Sequence, residues 1–371
     1  MHQKIIAFLK KEIVLTISCI LAILSCFFVK PDLKYADYID WHTILILFCL
    51  MAVMEGFKDL GLFQYTGESL LKRIKSKRGV VVLLVFLCFI SSMFITNDVA
   101  LITFVPLAIL ILKMAKMETS VCYILVLMTI SANLGSMLTP IGNPQNLYLY
   151  STSGMSLGTF LMLMLPYTLI SAVLLIIAIF VKYKKQEVPV SLANHPVSMN
   201  KKRICLYGIL FIFCLLAVAK ICPIMVLFTL IVTAVVIDKK SILKHIDYSL
   251  LLTFIFFFIF IGNMGRFPAF REFLSSILEG RVTLVAVLGS QVISNVPAAL
   301  LLSGFTKEWS NLIIGTNLGG LGTLIASMAS LISYKQLAES YPEKKGSYMV
   351  MFSVMNIIFL VILFTVAMLL N

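Results

Sequence analysis

Charge is scarce in this chain: Asp, Glu, Lys and Arg make up 13% of its 371 residues, about half the share usual in soluble domains. A water-soluble fold is excluded. Sulfur and imidazole are sparse as well. The cysteines at 19, 26, 49, 88, 122, 205, 214 and 222 lie in or beside apolar runs, without a Cys-x-x-Cys, so they read as small buried apolar residues and not as a disulfide framework or zinc site. His2, His42, His195 and His245 fall at the ends of apolar runs or in loops, away from any intramembrane metal chemistry. No Ser/His, His/Glu or paired-aspartate arrangement occurs in those runs, so the chain is not expected to be an enzyme and needs no cofactor. Ten-residue alternation of polar and apolar positions is missing too, which removes a β-barrel.

What is present is apolar: 60% of the residues are hydrophobic. Runs at about 13–29, 42–55, 79–112, 119–150, 157–181, 204–219, 221–237, 249–264, 281–305, 309–334 and 347–370 are long enough for roughly ten crossings at about 20 residues each. The expectation is an all-α polytopic membrane protein. The N-terminal stretch has the basic start and apolar middle of a signal peptide but no small-x-small cleavage site, so it is expected to stay as a first helix. Net charge is +13, and its placement explains it. With a cytoplasmic N-terminus, and with runs 79–112 and 281–305 each returning to the side they entered, only Lys30, Lys34, Lys220, Arg266, Arg271, Arg281 and Lys307 of the 30 basic residues fall outside. That sorting follows the positive-inside rule and predicts a plasma (inner) membrane protein with its C-terminus outside; no nucleic-acid partner is implied. Residues 57–78 are too polar to span and suit an amphipathic helix on the cytoplasmic face. Residues 182–203, with Pro189, Pro196 and six basic residues, read as a cytoplasmic linker between an N-terminal half, 1–181, and a C-terminal half, 204–371.

The polar exceptions inside the runs carry the functional signal. Residues 91–107, SSMFITNDVALITFVPL, sit midway in a run with basic residues at both ends, which predicts a re-entrant hairpin tipped by Thr96, Asn97 and Asp98. Irregular backbone at membrane depth is tolerated only against protein or a watery cavity, so the tip should line a site. The next run is broken at 133–146, NLGSMLTPIGNPQN, where Asn143 before Pro144 predicts the capped start of a second half-helix. The amino end of such a half-helix suits an anion, and the carbonyls that close the one before it suit a cation.

Both features recur. Residues 131–150 align without gaps to 315–334 with seven identities in twenty, and 91–102 aligns to 289–300, setting Thr96-Asn97 opposite Ser294-Asn295. Between Asn295 and Asn317 the pattern allows two helical pieces of about 12–14 Å, near half of a roughly 30 Å core. The topology makes the two halves inverted repeats, each with a re-entrant hairpin (about 79–112 and 281–305) and a discontinuous transmembrane helix (about 119–150 and 309–334), the layout of secondary transporters. Asp98 is the acid set deep in a run and is expected to bind Na⁺ or carry a proton, or to cap the hairpin's second arm. Glu55 reads as a carboxylate that reaches the cytoplasmic interface. Phe256–Phe258 and the methionines read as lipid-facing or packing residues.

These segments resemble the ion transporter superfamily that contains the divalent anion/sodium symporters, citrate transporters, arsenite permeases and a branch of sodium/proton antiporters. In the dicarboxylate symporters each hairpin tip carries Ser-Asn-Thr, whose side chains bind a carboxylate. Thr96, Asn97, Ser294 and Asn295 match the first two positions, while Asn97-Asp98 and Asn295-Val296-Pro297 look more like the arsenite and sodium/proton branches. The broken-helix motif is similar to that of the carboxylate and citrate branches at Asn133, Gly135, Thr139, Gly142, Asn143 and Asn146. The resemblance implies a homodimer whose transport domains move as elevators. The substrate contacts expected are Thr96, Asn97, Asn143, Asn146, Ser294 and Asn295. The coupling-ion positions expected are Asp98, Asn133, Gly135, Thr139, Gly142, Asn317, Thr323 and Ser327, with Na⁺ at Asp98, Asn133 or Asn317. A cation-coupled carrier for a small carboxylate or oxyanion is the leading expectation, a sodium/proton antiporter using Asp98 the second, and an anion channel the third.

Overall fold

The computed structural model describes residues 12–71, 74, 76–187 and 200–370. The N-terminal basic residues Lys4, Lys10 and Lys11 and the middle of the expected linker lie outside them. Among the described residues the chain is helical, with one isolated bridge from Ser76 to Glu187. The first half runs α1 Ile13–Phe28, α2 Trp41–Asp59, α3 Leu62–Leu71, α4 Lys77–Ser91, α5 Asn97–Met114, α6 Val121–Ser136, α7 Pro144–Ser153 and α8 Leu157–Lys182. The second runs α9 Lys201–Val218, α10 Ile224–Lys239, α11 Tyr248–Gly265, α12 Pro268–Leu278, α13 Val282–Ile293, α14 Asn295–Ser303, α15 Trp309–Leu318, α16 Met328–Ser340 and α17 Lys345–Leu370. Every apolar run is a helix or a broken pair of helices, because a chain with so few polar side chains can satisfy its backbone only internally. The amphipathic segment forms α3, whose Gly67 lies tight against Leu87 and Leu107 of the following helices. The helix α12, absent from the apolar runs, is amphipathic and joins α13 at a bend of 113°.

Among the described residues six helices are long and apolar enough to cross a membrane, or seven if that bent pair counts as one span. This is a polytopic membrane protein. Burial sorts the helices by position. The segment Glu118–Ser136 is 89% buried, whereas Leu157–Lys182 is 33% and Pro342–Leu370 22% buried at mean hydropathies of 2.5 and 2.6. The last two present apolar side chains outward, as lipid-facing helices do, and α6 is the central post.

Around that post the packing is paired: α4 lies on α6 and α13 lies on α15, while α16 crosses over to α5 and α6, and α14 and α15 pack on α7. The halves are interleaved, so polar groups from one can reach the other. One difference from the length argument appears here. The piece α14 has 9 residues and α15 has 10, the half-lengths expected, but α5 has 18 and at 1.5 Å per residue reaches about 27 Å. The second arm of the first hairpin is long enough to cross the core by itself. At the ends of α2, α9 and α10, Arg203 pairs with Asp238 at 2.7 Å and Asp59 at 3.2 Å, and Lys239 with Asp59 at 2.6 Å, tying the three together.

Candidate functional site

Four helices begin at one place. Asn97 and Asp98 open α5, Pro144 and Gln145 open α7, Asn295 and Val296 open α14, and Ser327 caps α16 ahead of Met328. These eight residues and Leu250 line one small void of about 10 Å³, close to the room a single water needs. The first turn of each helix has N–H groups without intrahelical partners, so the void collects partial positive charge from four amino ends.

Each start has a local cause. The Asn143 side chain accepts from the Asn146 N–H at 2.9 Å and Pro144 follows at the first helical position, which is the predicted cap. At the starts of α5 and α14 the asparagine carbonyl folds back on the next residue: Asn97 Oδ1 accepts from Asp98 N at 3.1 Å and Asn295 Oδ1 from Val296 N at 2.9 Å. The residues before them, Thr96 and Ser294, share an extended ψ of 147° and 155°. Ser294 also holds a φ of 74°, a conformation that costs on the order of 1–3 kcal/mol outside glycine. It is clamped by Asn295 N and Ser294 Oγ, both donating to Ala326 O at 2.9 and 3.3 Å.

A buried amide network joins the halves. Asn97 Nδ2 donates to Asn133 Oδ1 at 3.0 Å, and Ser327 Oγ donates to the same oxygen at 3.0 Å. Asn143 Nδ2 donates to Asn317 Oδ1 at 3.2 Å, and Asn317 Nδ2 to Asn146 Oδ1 at 2.6 Å. The sequence alignment pairs Asn133 with Asn317 and Asn143 with Ser327. The structure therefore contains the same bond twice with the halves exchanged: Ser327 to Asn133, and Asn143 to Asn317. Two further pairs match. Thr139 Oγ1 donates to Met93 O and Thr323 Oγ1 to Gln291 O, at aligned positions. A Cβ on Gly135 would lie 2.6 Å from Ser92 Oγ, and one on Gly319 would lie 2.5 Å from Ser290 Oγ, again aligned. Gly135 thus lets α6 close on α4, and Gly142, whose Cβ would meet Ser136 O at 2.1 Å, lets the break fold onto the end of α6.

Asp98 is separate from this network. Its Oδ1 is buried with no hydrogen-bond partner among the described residues, and the cap at this turn is made by Asn97. Asp98 borders the void and also a larger cavity of about 230 Å³, which it shares with Thr96, Asn143, Glu55, Lys58, His245 and Asp247. Glu55 pairs with Lys58 at 2.8 Å, as a carboxylate near a basic flank should.

Of the residues expected from the sequence, Asn97, Asp98, Asn295 and Ser327 line the void, and Asn133, Asn143, Asn146 and Asn317 form the network behind it. Thr96 and Ser294 sit at the tips, and Thr139, Thr323, Gly135 and Gly142 shape the breaks. Gln291 was not singled out by sequence. Its amide donates to Gly319 O at 3.0 Å and Leu321 O at 2.9 Å, and accepts from Thr323 N at 2.8 Å. The available signal was a lone glutamine in an apolar run, aligned opposite Met93.

Residues 4–308 match the family model described as citrate transporter, CitMHS. An uncharacterized transporter of Methanocaldococcus jannaschii is 37% identical over 300 residues, covering 80% of this chain and 81% of its own length. The inner membrane protein YbiR of Escherichia coli is 30% identical over 304 residues, 80% of each chain. A silicon efflux transporter of Oryza sativa subsp. japonica is 33% identical over 138 residues, 37% of this chain and 28% of its own. With most of its length matched by the family model and by a relative named as a transporter, the chain belongs to the CitMHS citrate transporter family of membrane transporters.

Proposed function

We propose that this protein is a secondary active transporter that couples a small anion, a carboxylate or oxyanion, to Na⁺ or H⁺. The observation that carries the reading is the void where four helix amino ends meet beside Asp98, whose Oδ1 has no hydrogen-bond partner among the described residues. An anion entering from the adjoining cavity of about 230 Å³ would turn an oxygen toward this void, held by backbone N–H groups and by the Asn97 and Asn295 side-chain amides, with Thr96, Ser294, Asn143 and Asn146 fixing their positions. Such a site needs no buried Lys or Arg, because oriented helix ends supply the field. Asp98 opposes the anion until a cation neutralises it. That is a coupling rule: the cation alone brings the carboxylate to neutrality, and only then does the anion meet the partial positive charge of the helix ends unopposed. The family name points to citrate, a carboxylate, and the rice relative's name to silicon.

The exchanged bonds between aligned positions support two inverted repeats, 1–181 and 204–371 around the 182–203 linker, with the site on their pseudo-axis and alternating access by elevator motion within a homodimer. The basic-residue pattern supports a plasma membrane location, with the N-terminus cytoplasmic and the C-terminus outside. The larger cavity, lined by Lys58 and His245, then opens the site toward the cytoplasm. A second reading, sodium/proton antiport at Asp98 with no anion, is favoured by that carboxylate's unpartnered oxygen.

Purified protein in liposomes separates the two. Under an imposed Na⁺ or H⁺ gradient, saturable uptake of a labelled carboxylate or oxyanion is expected. Dissipation of a pH gradient by Na⁺ alone, unaffected by any anion and abolished by Asp98→Asn, would establish the antiporter instead.

A further inference from the structure

The two helix breaks expose backbone carbonyls, and broken helices with free carbonyls are where carriers hold cations. Sequence reasoning accordingly places Na⁺ at the breaks, near Asn133 and Asn317. Here those carbonyls already have a donor. In the first break, Asn146 Nδ2 lies 3.3 Å from Met137 O, 3.3 Å from Thr139 O and 3.5 Å from Ser136 O. In the second, Gln291 Nε2 lies 2.9 Å from Leu321 O and 3.0 Å from Gly319 O, with Val287 O of its own helix α13 at 3.2 Å. The turn is moulded to that amide. Gly322 has a φ of 105°, and a Cβ there would sit 2.3 Å from Gln291 Oε1, while Thr323 N and Oγ1 bond the Gln291 side-chain and backbone oxygens.

Met137 and Leu321 are aligned positions, so one carbonyl is capped in both halves, but the donors are not aligned. Asn146 is paired in sequence with Ser330, and Gln291 with Met93. Neither counterpart does the job: Ser330 Oγ is buried without a hydrogen-bond partner among the described residues, and a methionine side chain has no N–H or O–H to give. Two unrelated side chains have converged on placing an NH₂ group among three carbonyls.

We infer that Gln291 and Asn146 are built-in substitutes for a cation: each fills the carbonyl ring of one break, neither break takes Na⁺, and the coupling cation acts at Asp98. Both are positioning residues, since they act on the breaks and not on the substrate. The inference rests on the coupled-transport reading and narrows where its cation sits. A primary amide donates two hydrogens and carries no net charge, so it satisfies the carbonyls permanently, whereas an ion would come and go with each cycle.

The test is thermal melting of the purified full-length protein with NaCl replaced stepwise by choline chloride at constant ionic strength. A ligand that binds only the folded state raises the midpoint by mass action. Wild type, Asp98→Asn, Gln291→Glu and the double variant are compared. Any Na⁺-specific stabilisation of wild type is expected to vanish in Asp98→Asn. Gln291→Glu replaces the donor with an oxygen of negative charge and is expected to gain a Na⁺-specific rise of about 2–4 °C, which survives in the double variant. A Na⁺ shift that persists in Asp98→Asn with Gln291 intact would overturn the inference, and so would a folded Gln291→Glu that ignores Na⁺. The Asp98→Asn arm decides the matter even if Gln291→Glu does not fold. Absence of anion flux in liposomes would strike the transport reading and leave these melting results unaffected, because no anion is added.

Discussion

The two breaks, 133–146 and 317–327, solve one problem with different residues. Both must end a helix, expose carbonyls and restart a helix toward the same void. The first does so with Gly142, Pro140, Pro144 and the Asn143 cap, and it is closed from its own downstream helix by Asn146. The second has no proline; its restart is capped by Ser327 without a side-chain bond, and it is closed from the hairpin by Gln291. The shared parts are the central asparagines, the threonine that grips the hairpin carbonyl and the glycine beside its serine. What the halves retain in common is the geometry at their contact. What they vary is how each break is stabilised locally.

The sharpest way to break the comparison is to remove the central amides. Asn317→Ala orphans Asn146 Oδ1 and leaves Asn143 Nδ2 with Ser136 Oγ as its one acceptor, whereas Asn133→Ala orphans both Asn97 Nδ2 and Ser327 Oγ. With two buried polar atoms unsatisfied, Asn133→Ala should lose about 2–5 kcal/mol of stability, and with one unsatisfied Asn317→Ala about 1–3 kcal/mol, each losing transport with it. Melting temperature and uptake check this; one tolerant and one intolerant site would mean the halves are not equivalent. The glycines come next. Gly135→Ala drives a methyl to 2.0 Å from the Phe89 carbonyl oxygen, whereas Gly319→Ala first meets the Ser290 hydroxyl at 2.5 Å. Overpacking costs about 1–3 kcal/mol, and the first variant should melt lower than the second, because a backbone oxygen yields less than a side chain. Adding Ser290→Ala should rescue Gly319→Ala in part. The smallest effects are expected from Thr139→Val and Thr323→Val, which each lose one hydrogen bond to the hairpin. Thr139→Val should cost about 1 kcal/mol, and Thr323→Val less, since Thr323 is exposed and water can replace its bond.

Much of this was legible in the sequence, for identifiable reasons. In an apolar chain each helix run is visible, and Gly, Pro and Asn inside a run have no innocuous role at membrane depth. The helix start at Asn97, the Asn143 cap and the matching positions of Asn133 and Asn317 all followed from that. Gln291 did not, because its partners at 319–323 are set by how the second break wraps back on α13, a tertiary fact with no local signature. Nor did α12, whose amphipathic pattern is diluted by Pro268, Arg271 and Glu272. The length of α5 differs from its short counterpart α14 because nothing in 97–114 interrupts it except Pro106, which a helix can absorb where neighbours satisfy the freed carbonyl.

The central claim is that an anion sits at four helix amino ends and that the carboxylate beside it must be neutralised first. Equilibrium binding of the transported anion to purified wild type and Asp98→Asn, with and without the coupling cation, tests it directly. The account predicts that wild type binds at least about tenfold more tightly when the cation is present, a coupling of about 1.4 kcal/mol. It also predicts that Asp98→Asn binds tightly with no dependence on the cation and no longer accumulates the anion in liposomes. An Asp98→Asn protein that has lost anion binding altogether, or that keeps its cation dependence, would contradict it.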